Sequence, residues 1–311
     1  MRKFSDMKIG EDVSFYALVE GFQLRYTPNK SAYYSASLSD GDQIVDARIW
    51  DTAIVESVNM TKGDIYYFTA HINEYAGKTQ FVIKAARGVN EDEIDKKVFY
   101  RSAPITEEAL RMEIKRYINK IENPILKELV IQMISKVAND YFTFPAAMSM
   151  HHNYASGLAY HTYTMLRLAD TYLELYPGMG QDLLYAGTIV HDIGKTKELS
   201  GIHGTVYTEE GNLLGHIVIG LQMVASVATT LGVEDTEEVK ALSHLIASHH
   251  GELEFGSPKE PGMLEAFALH FMDLADAKMT AVSTEVVKTE KGKSTGPIGS
   301  IGRKTIYRAD L

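Results

Sequence analysis

Histidines and aspartates recur through the second half of the chain, and these residue types bind divalent metals. At the centre of the series lies the stretch His191-Asp192-Ile193-Gly194-Lys195. The other members are His161 upstream and His216, His249, His250, Asp273 and Asp276 downstream. A set that mixes imidazoles with carboxylates suits Mn, Fe, Co, Ni or Zn better than Ca, which prefers oxygen ligands alone. The series therefore predicts a site for one of these metals.

Lys195 adds a fixed positive charge to the series. It follows His191 by four residues, which places both side chains on one face if the segment is helical. Adjacent side chains on a helix point about 100° apart, so His191 and Asp192 could reach neighbouring metals or hold one metal from two sides. A cation beside a metal site indicates an anionic substrate, and a phosphate ester is the class that fits best.

The order of the candidates is more informative than any single histidine, because an isolated histidine is usually a core or surface residue. From His161 to Asp273 the candidates lie 24 to 33 residues apart, about one helix plus a connection each. A helical bundle can bring such positions together at one end of its core. Gly194, Gly215 and Gly251 lie next to candidate ligands, where a missing side chain permits close approach of the backbone.

This series resembles the HD-domain superfamily of metal-dependent phosphohydrolases, in particular members that hold two metals. The resemblance covers about residues 148–280 and includes His151 and His152, which it places near the substrate or in support of the ligands. It implies two groups of ligands. The first metal is bound by His161, His191, Asp192 and Asp273, and the second by His216, His249 and His250, with Asp192 as a bridge.

The resemblance also assigns roles around the metals. Asp192 and Lys195 are the candidate catalytic residues: Asp192 bridges the cations, and Lys195 stabilises charge that accumulates on the phosphoryl group. His250 either binds the second metal or contacts phosphate. Asp276 is an alternative to Asp273 as the last ligand, or it orients a ligand through a hydrogen bond.

Residues 1–90 have the composition and the turns of short β-strands. Five segments rich in β-branched and aromatic residues are separated by turn signals such as Asp40-Gly41-Asp42. Five short strands with tight turns favour a small closed barrel over an open sheet. Over about residues 10–90 the pattern resembles OB-fold nucleic-acid-binding domains. The positions that carry this resemblance are Leu38, Asp40, Ile44, Trp50-Asp51, Gly63-Asp64, Tyr75, Gly77-Lys78 and Gln80.

The OB-fold resemblance implies binding of single strands, whose bases stack on aromatic side chains beside a cationic groove. The expected contact residues flank the turn Thr27-Pro28-Asn29, and they are Arg25, Tyr26, Lys30 and Tyr33. About half of the aromatic residues of such a barrel are expected in its core. Trp50 is assigned to that core.

From about residue 91 the spacing of apolar residues changes to that of helices. Thr106 and Asn123 are predicted helix caps, and Asn123 is followed by a proline at the first helical position. The predicted fold class is therefore multidomain, with an N-terminal all-β OB-fold barrel over residues 1–90 and a C-terminal all-α HD-domain helical bundle over residues 91–288. The glycine- and lysine-rich residues 289–311 are predicted to form a flexible tail.

Composition limits the remaining possibilities. The chain has 311 residues, enough for two domains, and it contains no cysteine, which excludes disulfides and thiolate-bound zinc. Neither a signal peptide nor a run of about 18 apolar residues is evident, so we expect a cytoplasmic protein without a membrane partner. The net charge of −10 argues against a surface broadly coated with nucleic acid, although a local groove can still be positive.

The whole chain resembles the YhaM-type 3′–5′ exoribonucleases in its domain order and in two motifs. These motifs are Thr208-Glu209-Glu210-Gly211-x-Leu213-Leu214-Gly215-His216 and Ser248-His249-His250-Gly251. The resemblance implies degradation of single-stranded RNA from its 3′ end to nucleoside 5′-monophosphates. It also implies a pair of divalent ions with Mn preferred and Fe, Co, Ni or Zn as alternatives. DNA as an additional substrate and a homo-oligomeric state stay open.

Three other functions are compatible with parts of the sequence. An HD-type phosphodiesterase could act on a small nucleotide, such as a cyclic dinucleotide or an alarmone, but that substrate requires no strand-binding barrel. A non-catalytic single-strand-binding protein could carry a decayed site, but every expected ligand position is occupied and Lys195 is present. A scaffold fits least well, because histidines buried without a metal leave costly unpaired polar groups.

Overall fold

The computed structural model describes residues 2–75, 77–90, 92–99, 103–147, 154–201 and 205–311. Contacts divide the chain into one unit built on Met1–Arg101 and another built on Ser102–Gly201 and Val206–Leu311. The first unit extends beyond the boundary predicted at residue 90. The reason is a 3-10 helix, Lys96–Phe99, whose Phe99 ring is buried against Leu18 and Ile65 of the same unit.

The first unit is a closed five-stranded barrel. Its strands are β1 (Asp12–Tyr26), β2 (Ala32–Ser39), β3 (Ile44–Ile49), β4 (Ile65–Tyr75) and β5 (Lys78–Gly88), and a short helix α1 (Ala53–Ser57) lies between β3 and β4. The strand order around the barrel is β1-β2-β3-β5-β4, with β3 and β5 parallel and every other pair antiparallel. This topology is that of an OB-fold, so the predicted barrel is confirmed.

Strand β1 closes the barrel because it pairs with two neighbours. Its first half pairs with β4 and its second half with β2, and a register shift between Val19 and Gly21 bends it from one partner to the other. Phe15 and Ala17 alternate with more exposed residues and point into the interior. There the Phe15 ring packs edge-on against Phe81 of β5, with centroids 5.6 Å apart.

The second unit is a helical bundle. Its helices are α2 (Glu107–Lys120), α3 (Pro124–Lys136), α4 (Ala138–Thr143), α5 (Gly157–Leu175), α6 (Gln181–Val190), α7 (Lys195–Glu198), α8 (Glu209–Leu231), α9 (Glu237–Ser248) and α10 (Leu264–Lys288). Both predicted caps are confirmed. The Thr106 side chain accepts a hydrogen bond from Ala109 N, and the Asn123 side chain accepts bonds from two amides at the start of α3.

Helix α6 lies at the centre of this bundle. It contacts α3, α5, α9 and α10, and seven of its ten residues are buried. Gly187 lets α9 approach closely, since a Cβ at this position would lie 2.2 Å from a methyl carbon of Leu245. His191 and Asp192 follow the last residue of α6 directly, so a buried helix carries both of them into the interior.

Helix α8 is interrupted at Gly215, whose φ of 71° and ψ of 157° are not helical. Among the residues that the structure describes, α8 is the one helix long and apolar enough to cross a membrane by length and composition. Here it contacts α3, α7 and α9, and its residues Ile219 and Val224 belong to the core of the bundle. In this fold α8 is a core helix.

Residues 289–311 differ from the predicted flexible tail. Backbone hydrogen bonds pair Thr295 with Ile306 and fold the segment into a hairpin. Arg308 donates to main-chain carbonyls at the end of α10, including Val287 O at 3.0 Å and Thr289 O at 2.6 Å. The prediction of a flexible tail is therefore wrong, because glycine- and lysine-rich composition does not report tertiary hydrogen bonds.

Candidate functional site

The bundle brings the predicted ligands from five segments into two groups that could each hold a metal ion. One group is His161 of α5, His191 after α6 and Asp273 of α10. The other is His216 of α8 with His249 and His250 after α9. Within each group, one potential ligand atom from every residue lies within 4.8 Å of the others. The spaced series in the sequence thus converges in the fold.

Asp192 lies between the two groups, with one carboxylate oxygen facing each. Its Oδ2 lies 3.4 Å from His191 Nε2 and 3.8 Å from His161 Nε2. Its Oδ1 lies 3.5 Å from His216 Nε2 and 3.6 Å from His249 Nε2. These separations are longer than the usual hydrogen bond of about 2.9 Å between nitrogen and oxygen. The carboxylate therefore occupies the position of a bridge.

Buried polar atoms without partners test whether a metal fits this place. Among the described residues, six buried side-chain atoms have no hydrogen-bond partner. Four of the six meet here, and they are His191 Nε2, Asp192 Oδ1, His216 Nε2 and His249 Nε2. Leaving such atoms unpaired in the interior is costly. A donor set of imidazole nitrogens and carboxylate oxygens suits a divalent metal, so the residues fit one.

The orientation of every imidazole supports the same conclusion, because each ring is fixed through Nδ1. Nδ1 of His191, His249 and His250 donates to the main-chain carbonyls of Thr188, Ile246 and Phe255 respectively, at 2.9, 2.7 and 2.8 Å. Nδ1 of His161 and His216 instead faces a carboxylate, Asp276 Oδ2 at 2.7 Å and Glu198 Oε1 at 3.1 Å. All five rings therefore present Nε2 to the site.

The electrostatics of the site favour cations. Burial alone would raise the pKa of the Asp192 carboxyl, but Lys195 and His191 hold that pKa well below its usual range, so Asp192 is ionised. Burial alone would lower the pKa of His161, whereas the carboxylates of Asp273 and Asp276 raise it to about 10. The same carboxylates attract a metal. Burial lowers the pKa of His249, which favours the neutral ring that a metal requires.

The barrel carries a pair of contacting aromatic rings on one face, one half-buried and one exposed. Tyr33 of β2 and Trp50 after β3 lie with centroids 4.7 Å apart and planes 34° apart, and the Arg48 guanidinium lies 5.9 Å from the Tyr33 centroid. Arg25 is the cross-strand partner of Tyr33. Trp50 is 49% exposed, so its assignment to the core is wrong. The cause is its position one residue beyond Ile49, the last inward residue of β3.

The other two predicted contact residues lie at the end of β1 and in the turn that follows it. Tyr26 is 66% exposed, but it follows Arg25 in the strand and therefore points to the opposite side. Lys30 is exposed in the turn after β1, where it adopts a positive φ of 63°. The structure thus brings Arg25 and Tyr33 together with Arg48 and Trp50.

Comparison with known proteins identifies the helical part. The family model of the HD domain matches residues 158–278, from the start of α5 to the middle of α10. The helical unit contains an HD domain. This match indicates a metal-dependent phosphohydrolase family, in agreement with the two groups of ligands.

Solved structures similar to the chain match its barrel part. The second OB-fold domain of replication protein A from Methanococcus maripaludis is 14% identical, and the match covers 30% of this chain and 98% of that domain with a TM-score of 0.24. The mitochondrial single-stranded DNA binding protein of S. cerevisiae is 16% identical, and the match covers 27% of this chain and 97% of that protein with a TM-score of 0.23. An OB domain from Methanosarcina mazei is 21% identical, and the match covers 29% of this chain and 83% of that domain with a TM-score of 0.24.

Lys195 of the HD domain is placed by a turn rather than by a continuous helix. Helix α6 ends at Val190, residues 191–194 form a turn, and Lys195 begins α7. Its Nζ lies 2.7 Å from Asp192 Oδ2, so the partner of this cation is Asp192 rather than His191. The turn requires Gly194, because a Cβ there would lie 2.0 Å from the carbonyl oxygen of His216.

The remaining candidates of the HD domain are separated by their contacts. Asp273 lies in the first ligand group, with Oδ1 3.2 Å from His161 Nε2. Asp276 lies on the other side of the same ring, at Nδ1, which is the arrangement of a residue that orients a ligand. His151 and His152 lie outside the described residues.

Glu198 of α7 is a residue of the site that sequence reasoning missed. It is largely buried and accepts hydrogen bonds from both the main-chain N and the Nδ1 of His216. One signal could have found it: it lies one turn after Lys195, next to the apolar Leu199, where an acid without a partner would be unfavourable.

Proposed function

We propose that this chain is a metal-dependent 3′–5′ exoribonuclease that hydrolyses single-stranded RNA, with DNA as a further substrate, to nucleoside 5′-monophosphates. The position of Asp192 carries the proposal, since each of its carboxylate oxygens faces a different group of ligands. A pair of cations joined by a carboxylate is typical of enzymes that displace groups at phosphorus. The 3′ direction follows the resemblance of the chain to YhaM-type enzymes.

We assign the ligands from the two groups and their bridge, with Mn as the preferred ion. His161, His191, Asp192 and Asp273 would hold one cation, and Asp192, His216, His249 and His250 the other. When bound, such a pair lowers the pKa of water towards neutrality and offsets negative charge on a phosphate.

The residues around these ligands act on the substrate through charge and orientation. Lys195 holds its ammonium at the edge of the site, where it stabilises the charge that develops on the phosphoryl oxygens. Asp276 keeps His161 with Nε2 towards the site. In the barrel, the Tyr33–Trp50 pair offers stacking surfaces for bases, and Arg48 and Arg25 offer positive charge for the phosphates.

The reaction adds water across the last phosphodiester of the strand. A bond forms between the water oxygen and phosphorus, and the bond between phosphorus and the 3′ oxygen of the preceding nucleotide breaks. That oxygen takes up a proton and becomes the new 3′ hydroxyl. The nucleoside 5′-monophosphate leaves, while the barrel keeps the remaining strand at a high local concentration.

The proposal is tested by incubating the protein with end-labelled single-stranded RNA and DNA in the presence of Mn²⁺ or of a chelator. We expect a 5′ label to shorten progressively and a 3′ label to appear at once as a mononucleotide, both only with Mn²⁺. Release of mononucleotides from the 5′ end would contradict the direction.

Two other outcomes would replace the proposed function. RNA binding without any cleavage would identify a single-strand-binding protein. Hydrolysis of a cyclic dinucleotide or an alarmone without hydrolysis of RNA would identify a small-nucleotide phosphodiesterase.

A further inference from the structure

Glu198 is joined to the candidate ligand His216 by two hydrogen bonds that share one oxygen. Its Oε1 lies 3.0 Å from the main-chain nitrogen of His216 and 3.1 Å from Nδ1 of the same residue. The carboxyl belongs to the last residue of α7, the helix that also begins with Lys195. A single side chain thus fixes both the backbone and the ring of His216.

The interruption of α8 explains why the main-chain bond forms. Gly215 adopts a positive φ of 71°, so His216 begins a new helical segment. The first amides of a helix have no acceptor within that helix, and a carboxylate at this end is favourable. Glu198 supplies the acceptor. The kink turns the His216 ring out of the register of a continuous helix and towards α7.

The bond to the ring has a chemical consequence. A carboxylate that accepts a hydrogen bond from Nδ1–H fixes the proton on that nitrogen and leaves the lone pair on Nε2, and it makes the ring a stronger donor to a metal. His216 Nε2 is one of the buried atoms without a partner, and it lies 3.5 Å from Asp192 Oδ1. Glu198 therefore aims this lone pair at the second group of ligands.

Each of the two ligand groups contains one imidazole whose Nδ1 is hydrogen-bonded to a carboxylate. Asp276 bonds Nδ1 of His161 in the first group, as Glu198 bonds Nδ1 of His216 in the second. The other three rings are held by main-chain carbonyls. Glu198 is thus the counterpart of Asp276 in the second group, although the two acids lie on different helices.

We propose that Glu198 is the positioning residue of the second metal site and sets the affinity of that site selectively. The inference rests on the proposed function, because it requires two cations. A purely structural role would make Glu198 a helix cap, whose loss would lower stability and change both metal sites alike or neither.

Glu265 provides a matched control. It is as buried as Glu198, each being 9% exposed, and its Oε1 also accepts a hydrogen bond from a main-chain amide at the start of a helix, Gly180 N at 2.6 Å. It differs in lying outside both ligand groups. Glu265→Ala therefore removes a buried helix-capping carboxylate without removing the proposed positioning bond.

The experiment measures Mn²⁺ binding to the full chain by isothermal titration calorimetry, together with thermal unfolding. We expect two sites in the wild type, and in Glu198→Ala we expect one site weakened by about 10- to 100-fold with the other within about twofold of wild type. Glu265→Ala should lower the unfolding temperature and keep both sites. Glu198→Gln should keep the fold and still weaken one site.

Either of two results would overturn the inference: both sites keep wild-type affinity in Glu198→Ala, or both weaken equally in Glu198→Ala and Glu265→Ala. A wild type that binds fewer than two Mn²⁺ ions would overturn the inference and the metal pair together. A wild type that binds two ions but leaves RNA intact would overturn only the proposed exoribonuclease.

Discussion

At the scale of single residues, the charge of Asp192 matters more than its shape. The side chain is almost completely buried among four imidazoles and one ammonium. Asparagine has the same size and would keep the packing, but it would present a dipole in place of an anion. Substitution of this residue therefore separates electrostatics from folding.

We expect Asp192→Asn to lower the hydrolysis of single-stranded RNA by at least about 100-fold, because both ligand groups lose their shared anion. RNA binding should change little, since the barrel is untouched. Initial rates with labelled RNA and Mn²⁺, compared with a filter-binding isotherm, measure the two effects. Turnover close to the wild-type rate would remove Asp192 from the catalytic machinery.

Lys195 contributes a positive charge to the proposed active site and does not serve as a metal ligand. Replacing it with alanine should lower kcat by about 100- to 1000-fold, the usual effect of removing one group that stabilises a transition state, while the bound Mn²⁺ content stays near that of the wild type. Lys197→Ala, an exposed lysine two residues along α7, serves as control and should be silent. Loss of metal in proportion to loss of activity would show that Lys195 only supports Asp192.

Residue types and spacing predicted the series of candidate ligands, because metal chemistry restricts which side chains can serve, and the resemblance to HD domains divided that series into two groups. The same reasoning missed Glu198 and placed Trp50 wrongly. Glu198 has no type or spacing that marks it as a partner of His216, since the two lie 18 residues apart on helices that meet only after folding. Whether Trp50 faces the core depends on the alternation of inward and outward side chains along β3, and this alternation depends on where the strand ends.

At the scale of elements, the approach of α8 to the turn before α7 leaves no room for side chains. A Cβ on Gly194 would lie 2.0 Å from His216 O and 2.9 Å from Gly220 N, both main-chain atoms that cannot rotate away. The sequence predicted that glycine permits close approach here. It did not identify the opposing segment, because backbone packing between distant helices leaves no local pattern.

Gly194→Ala should lower the free energy of unfolding by about 1–3 kcal/mol, the range for overpacking of a tight interior. It should also displace His216 and weaken Mn²⁺ binding. Chemical denaturation followed by circular dichroism measures the first effect. Gly299→Ala is the control, because the space around that position is open. Equal stability of the two variants would contradict the close contact.

Three helices are tied together by Asp170 of α5. Tyr117 of α2 and Tyr185 of α6 donate to its carboxylate at 2.7 and 2.6 Å, and Lys120 lies 3.0 Å away. Burial alone would raise the pKa of Asp170, but these donors outweigh it and lower that pKa. The network therefore stabilises the fold above the unfolded pKa of about 3.9 and loses this effect as the pH falls through the folded value.

Asp170→Asn should lower the free energy of unfolding at pH 7 by about 1 kcal/mol, since bonds to a charged acceptor are weakened but solvent screens a side chain that is 41% exposed. The difference from wild type should shrink as the pH falls below about 4, because the carboxyl of the unfolded chain takes up its proton first and the folded carboxyl follows only below its lowered pKa. Denaturant titrations at several pH values measure this trend. A difference that stays constant down to pH 3 would exclude the charge as its source.

At the scale of the whole molecule, two units with different cores carry two kinds of chemistry. The barrel offers aromatic rings and guanidinium groups at its surface, whereas the HD domain holds its imidazoles and carboxylates in buried or half-buried positions. Binding of a strand and hydrolysis of its end should therefore respond to different mutations. The sequence predicted this division, because periodicity changes from strands to helices near residue 91. The sequence did not predict the hydrogen bonds within the C-terminal hairpin of residues 289–311.

Trp50→Ala should weaken binding of a long single-stranded oligonucleotide by about 5- to 150-fold, which corresponds to the loss of about 1–3 kcal/mol of stacking on one base. Hydrolysis of a small phosphodiester such as bis-p-nitrophenyl phosphate should be unchanged. Fluorescence anisotropy and a colorimetric assay measure the two quantities, with Ile9→Ala, another exposed apolar residue of the barrel, as control. Equal losses on both substrates would contradict a separate binding surface.

The fixed rings have a consequence for how cations enter. Turning over any of the five imidazoles would exchange a bond at Nδ1 for an unpaired nitrogen in the interior. The metal site therefore has its shape before a cation binds. The conformational entropy of its side chains is lost during folding rather than during binding of the cation. Exchange of one cation for another at such a site requires no rearrangement of the ligands. The rate of exchange therefore depends on access of the cation to the site and on the loss of its hydration shell.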